Sequence, residues 1–208
     1  MKNVFILFIL AIILLVSNSC ASNYRTINPK IISYVSKTTN GSNDILLEYK
    51  YDLLYKKYKR KETKHDLRIV AVKITNLYEQ DLVLGKDLNL TYTDGANIPL
   101  LSSKEIYREI KQHSGLYLLY LLLTPMQFNI TTSNSNGGNN TQSFPIGFLV
   151  GPGLAAGNMI KASSSNRQFN NDLKMYNLKD RTIKKGETTY GLIGIRSSNY
   201  DALNLKRE

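Results

Sequence analysis

A catalytic or metal site in this 208-residue chain would have to be built from two histidines, one cysteine and 16 acidic residues. The HExxH form of metal-dependent hydrolysis needs two histidines on one helix face with a glutamate between them. His65 and His113 are far apart and neither has a matching partner. A serine nucleophile needs an activating neighbour, and no GxSxG turn is present. A phosphate-cradling loop ends in Lys followed by Ser or Thr, and no such pair follows Gly147, Gly151, Gly153 or Gly157. Paired carboxylates for glycoside cleavage come from separate elements and leave no spacing signature. A hydrolase with an unrecognised carboxylate site therefore stays open as a reading, although the chain has no Trp to serve as a sugar platform. No cofactor and no metal are expected, and the favoured class is non-enzymatic.

Cys20 remains. As the only cysteine it excludes a disulfide framework and a cysteine-based zinc finger. Lys2 makes a positive start, Val4 to Val16 is an unbroken apolar run, and Ser17, Asn18 and Ser19 lead into the cysteine. The run is shorter than the ~20 residues a helix needs to cross a bilayer and suits the apolar region of a secretory signal. This arrangement resembles the bacterial lipoprotein signal, whose lipobox ends in a cysteine that receives a diacylglycerol and becomes the first mature residue. Ser17 stands where that family usually has Leu. The resemblance implies a signal peptide over 1–19, lipidation at Cys20 with acyl chains such as palmitate, and a place in a bacterial cell envelope, membrane-anchored on the periplasmic or surface face. The competing reading is an ordinary signal cleaved near Ala21. Lipidation gives the lone cysteine of an exported chain a use, which a leftover thiol lacks.

Such an anchor must carry a folded domain. With 42% hydrophobic and 21% charged residues, the composition excludes collagen, coiled coil and a fully disordered chain. Residues 20–43, rich in Ser, Thr and Asn, read as the lipidated cysteine and a polar tether, and 44–208 as one domain. From Ile45 to Tyr55 the side chains alternate with period 2, as in a half-buried strand. Leu67–Thr75 and Leu88–Tyr92 repeat the pattern, Asp94-Gly95 reads as a hairpin turn, and Tyr190–Ile195 reads as a central strand. Between these strands the period changes. Ser102 and Glu105 fit a capping box, and Ile106, Ile110, His113, Tyr117 and Tyr120 predict a helix to about Leu123. A second helix is marked by Ala155, Met159, Ala162, Asn166, Phe169, Leu173 and Tyr176, on which a buried Asn166 must be hydrogen-bonded. Residues 131–143 read as a polar loop and Asn199–Glu208 as a fraying tail.

The segment Ile69–Asn76 (IVAVKITN) followed by Thr182–Ile195 (TIKKGETTYGLIGI) resembles the small immunoglobulin-like domains of exported bacterial lipoproteins. There a strand ending in Asn pairs with a later hairpin. The fold expected is mainly β with some α: an immunoglobulin-like β-sandwich with a two-helix insertion at about 102–176.

The net charge is +11, and one basic run stands out: Lys56, Lys57, Lys59, Arg60, Lys61 and Lys64, with Tyr55 and Tyr58 interleaved. Lying between two strands, it reads as a hairpin tip whose lysines block strand addition. The alternative is a membrane-facing basic patch, each charge adding roughly 1 kcal/mol beside anionic headgroups. The exported context argues against nucleic acid. Two apolar stretches stand out, Leu116–Met126 and Phe144–Gly157. Leu116, Leu119 and Leu122 in the first, and Gly147/Gly151 with Gly153/Gly157 in the second, are candidates for membrane contact or association. The favoured reading packs both stretches into the core. The functional expectation is a lipid-anchored, non-enzymatic binding or structural module, its partners the membrane and an unidentified protein. The alternative is a membrane-active or self-assembling lipoprotein that uses 116–157.

Overall fold

The computed structural model describes residues 20–42, 44–133 and 138–208, so the expected signal segment 1–19 lies outside the described residues. Helix and strand contribute about equally, and the sheets are antiparallel with no closed barrel. The chain divides into two compact units, a larger one of Tyr24–Lys111 with Ser165–Glu208 and a smaller one of the residues up to Asn23 with Gln112–Ser164.

The larger unit is built on a four-stranded sheet in the order β1 (Ser36–Thr39), β2 (Ile45–Lys50), β3 (Leu67–Asn76), β9 (Thr188–Arg196). The alternation of β2 buries Ile45, Leu47 and Tyr49 together with Val70, Val72 and Ile74 of β3 on one face. That face is covered by two short pairs, β4 (Leu82–Val83) with β8 (Thr182–Ile183) and β5 (Leu88–Tyr92) with β10 (Leu203–Arg207). The opposite face, with Leu67, Ile69, Ala71 and Leu192, packs against helices. Burial on both faces explains the unbroken apolar run at the start of β3, since a strand between two layers loses its polar side.

The expected pairing of Ile69–Asn76 with the later hairpin is present: β3 and β9 are antiparallel neighbours. Asn76 closes it. Its N–H donates to the Glu187 carbonyl at 3.0 Å, its carbonyl accepts from Gly186 at 2.8 Å, and its side-chain amide donates to the Gln80 and Ile183 carbonyls.

The basic run is a helix, α1 (Lys56–Lys64), and not a hairpin tip. Lys, Arg and Glu are good helix formers, and Tyr58 and Glu62, four apart, are buried on the same side. The second helical region divides. The capping box of Ser102 and Glu105 starts α2 (Ser103–Ile110), which then ends, and Ser114–Leu123 continues as a 3-10 helix. α3 (Gly147–Met175) begins well before the expected start and contains Pro152. Its last part belongs to the larger unit, where Phe169 is enclosed by the rings of Tyr24, Tyr58 and Tyr107. Asn166 is buried and hydrogen-bonded, accepting from the Tyr58 hydroxyl at 3.0 Å.

Two segments expected to lack structure have it. The tail forms β10, because Leu203 and Leu205 bury against β5. Residues within 131–143 belong to the hairpin of β6 (Phe128–Ser133) and β7 (Asn139–Phe144), exposed throughout. The polar stretch after Cys20 is packed rather than extended: Ala21, Tyr24, Ile27 and Pro29 are buried. In the larger unit the Tyr24 hydroxyl and the Ile27 N–H both donate to Asp172 Oδ2, at 2.9 and 2.8 Å.

Candidate functional site

Cys20 is exposed, and the chain is held in place from the next residue onward. The N–H of Ala21 donates to Asn158 Oδ1 of α3 at 2.6 Å. Ser22 is gripped twice by the Gln112 side chain: its N–H donates to Oε1 at 2.9 Å and its carbonyl accepts from Nε2 at 2.7 Å. Both amides are buried. Burial pushes the Tyr117 hydroxyl up from its ordinary pKa, with Cys20 a lesser contributor. One residue spans only about 3.8 Å between Cα atoms, so whatever is attached to the Cys20 sulfur is held at the surface of the smaller unit.

That surface is apolar. A 3-10 helix has three residues per turn, so residues three apart lie on one side. Tyr117, Tyr120 and Leu123 form the side that packs inward with Ala21, Ala155 and Ala162. Leu116, Leu119 and Leu122 form another side, and all three are exposed, Leu122 to 74%. α3 divides in the same way. Gly147, Gly151, Ala155, Asn158 and Ala162 are buried, whereas Phe148, Leu149, Val150 and Ile160 are exposed, Leu149 to 82%. Met126, Phe128, Ile130, Phe144 and Ile146 add further exposed apolar side chains around the base of the β6–β7 hairpin. The expectation that 116–157 is core is thus overturned. Only one side of each element finds a partner, because the smaller unit has too few layers to cover the others.

The two glycine pairs have separate roles. A methyl group on Gly147 would run into the Leu123 and Thr124 carbonyls, and one on Gly151 would lie 2.8 Å from Thr124 Oγ1. These two glycines let the start of α3 close against the 3-10 segment. Gly153 and Gly157 are exposed and have nothing within 4 Å of that position.

Charge sets this segment apart. From Gln112 to Ile160 the sequence contains no Asp, Glu, Lys or Arg, so all 27 basic and 16 acidic residues lie in the remainder of the chain. This was the signal available in the sequence that distinguishes the segment from ordinary core. A core segment alternates with charged solvent-facing positions; this one has none.

The six residues of the basic run share α1 but not one role. Lys56, Lys59, Arg60 and Thr63 line a hollow of about 420 Å³ on the helix surface. Lys59 pairs with Asp52 at 2.6 Å, and Lys61 donates to the Lys111 carbonyl at 2.5 Å. Lys57 is half-buried and Lys64 exposed. His65 lies 3.3 Å from Glu109, and His113 is exposed in the link between α2 and the 3-10 segment rather than on a helix stripe. Among the described residues no group of three or more His, Cys, Asp or Glu side chains could hold a metal, and no helix is long and apolar enough to cross a membrane. The chain matches no protein-family model, no curated protein and no solved structure.

Proposed function

We propose that this chain is a lipid-anchored, non-enzymatic protein of a bacterial envelope that serves as a binding or structural module. One observation carries the reading: the only cysteine is exposed, and the next residue, Ala21, is already buried and pinned to Asn158. An acyl group on Cys20 would join the folded protein to the membrane with no tether between them. The larger unit is then the displayed module, read as an immunoglobulin-like sandwich with added helices. Support for that fold is the β2–β3 face covered by the β4–β8 and β5–β10 pairs, and the Asn76 latch on the Lys184–Glu187 turn. The non-enzymatic reading rests on the absence from the sequence of a nucleophile elbow, an HExxH pair and a phosphate loop.

The test is metabolic labelling with a fatty-acid analogue in cells making the wild-type chain or Cys20→Ser. Label confined to the wild type is expected. Equal label in both, or none in either, sinks the lipid-anchor reading.

A further inference from the structure

We infer that the smaller unit is a second membrane contact, seated in the interface of the bilayer leaflet through the exposed sides of its 3-10 segment and of the first half of α3. The inference builds on the lipid-anchor reading but stands on separate observations.

The first is the apolar surface itself. Leu116, Leu119 and Leu122 share one side of the 3-10 helix, and Leu149, Gly153, Gly157 and Ile160 lie along one side of α3. Exposed large apolar side chains grouped along one side of an element mark a contact site. The second is charge. A surface meant for water carries charged side chains, and a rim meant for a transient protein partner is polar. From Gln112 to Ile160 there is no Lys, Arg, Asp or Glu. The third is position. Cys20 leaves this same unit one residue before Ala21 is fixed. Acyl chains on its sulfur would bring this surface to the bilayer, so the occupant that the anchor itself supplies is lipid.

The geometry also sets the depth. Among the described residues no helix can span the bilayer, and an open sheet edge is not tolerated in hydrocarbon. The β6–β7 hairpin is an isolated pair with two such edges, and its distal positions are polar: Thr131 opposite Thr141, Thr132 opposite Asn140, Ser133 opposite Asn139. It must remain among headgroups or in water. Apart from the carbonyl that Pro152 leaves without its intrahelical donor, the helical segments satisfy their backbone groups within themselves, so their side chains enter the acyl boundary. The result is an interfacial seat of the amphipathic-helix kind.

The chain contains no Trp, so a single introduced indole is an unambiguous reporter. The full-length protein carrying Leu149→Trp, or Leu77→Trp in the larger unit as control, is reconstituted into phosphatidylcholine–phosphatidylglycerol vesicles with brominated acyl chains. Both positions are exposed, so neither change disturbs packing. The emission of the Leu149→Trp protein is expected to shift to the blue and to be quenched several-fold, while that of the Leu77→Trp protein is not. The same pair in a Cys20→Ser background separates this inference from the anchor reading. Quenching at position 149 in the Cys20→Ser background upholds the membrane seat whatever the state of Cys20, and the anchor reading fails alongside it only if the wild-type chain also takes up no fatty-acid label. An unquenched indole at position 149, in vesicles that retain the labelled protein, overturns the seat while the anchor reading stands. A blue-shifted but unquenched indole there, on a chain sedimenting as a dimer, assigns the surface to a second copy and also overturns it.

Discussion

The N–H of Ala21 donates to Asn158 Oδ1 at 2.6 Å, joining the residue after the only cysteine to the middle of α3. Both partners are buried. Asn158 also donates from Nδ2 to the Leu154 carbonyl at 2.9 Å, which holds the amide in the orientation that presents its oxygen. Asn158→Ala removes the acceptor and leaves a buried N–H unpaired, at a cost of about 1–3 kcal/mol. The expected readout is a lower urea midpoint. An unchanged midpoint would show that the segment after Cys20 contributes nothing to the fold.

Phe169 is fully buried and lies 5.3 Å from the Tyr24 ring and 5.2 Å from the Tyr58 ring, centroid to centroid. Phe169→Ala should cost about 3–5 kcal/mol, because Tyr24 and Tyr58 cannot collapse into the space without losing their hydroxyl bonds to Asp172 and Asn166. The nearby Lys174 is exposed, so Lys174→Ala should stay within roughly 0.5 kcal/mol. Coincident denaturant midpoints for the two variants would contradict this packing.

Glu62 predicts a pH dependence. Burial raises its carboxyl to about 7, outweighing the hydrogen bond donated by the Ile69 N–H at 2.8 Å, while its Oε2 is buried without a partner. The folded state therefore holds this proton more tightly than the unfolded chain, whose carboxyl titrates near its ordinary value of 4.5. The stability this proton confers is fully present below pH 4.5 and is lost as pH rises to about 7. Glu62→Gln keeps an oxygen for Ile69 and removes the charge. Relative to wild type, the variant should be equal near pH 4 and more stable above pH 7, by on the order of 3 kcal/mol. Taking the difference between the two proteins cancels the opposite trend from Asp44, Glu105 and Glu187, whose carboxyls are held below their ordinary range by hydrogen bonds. A difference that does not change with pH would exclude the mechanism.

What the sequence made legible follows from periodicity. β2 and β5 announce themselves because one face of each is buried and apolar residues repeat every second position, and β3 and β9 because burial on both faces leaves an unbroken apolar run. The capping box at Ser102 and the hydrogen-bonded Asn166 were readable because each needs a specific partner. Where the period was ambiguous, the reading failed. His113, Tyr117 and Tyr120 step by four and three, which imitates an α-helix, yet the segment is 3-10 and only Tyr117 and Tyr120 turn inward. In α1 the lysines of every face obscure the single buried side of Tyr58 and Glu62. The β6–β7 hairpin buries nothing, so it has no alternation to show. At the candidate site the apolar runs were visible, but apolar residues alone do not distinguish core from a lipid-facing surface. The missing charge between Gln112 and Ile160 is what sets the segment apart from the rest of the chain.

The two glycine pairs make opposite forecasts from the same substitution. Gly147→Ala pushes a methyl against the Leu123 and Thr124 carbonyls and lies 2.8 Å from the Met126 nitrogen. Backbone cannot rotate away as a side chain can, so a loss of about 1–3 kcal/mol is expected. Gly153→Ala meets nothing within 4 Å inside the same helix and should gain about 0.5–1 kcal/mol by restricting the unfolded chain. Thermal unfolding of both variants gives the signs. A loss at Gly153 comparable to that at Gly147 would mean that its open side is occupied.

Leu149 separates a core residue from a lipid-facing one. Were it core, Leu149→Asp would bury an unpaired charge and unfold the unit. At 82% exposure it has no such burden, so in vesicle-free buffer the thermal midpoint should shift by no more than roughly 0.5 kcal/mol allows. The effect belongs to the membrane. In a Cys20→Ser background, where no acyl chain holds the protein, partition into anionic vesicles depends on the apolar side chains alone. Losing one leucine from the acyl boundary removes about 1.5–3 kcal/mol, so partition should weaken by about tenfold or more. Leu77→Asp, equally tolerated by exposure but in the larger unit, should leave partition unchanged. Vesicle flotation beside thermal unfolding decides between the outcomes. A collapsed midpoint with Leu149→Asp would return the segment to the core, and intact flotation would remove it from the membrane contact.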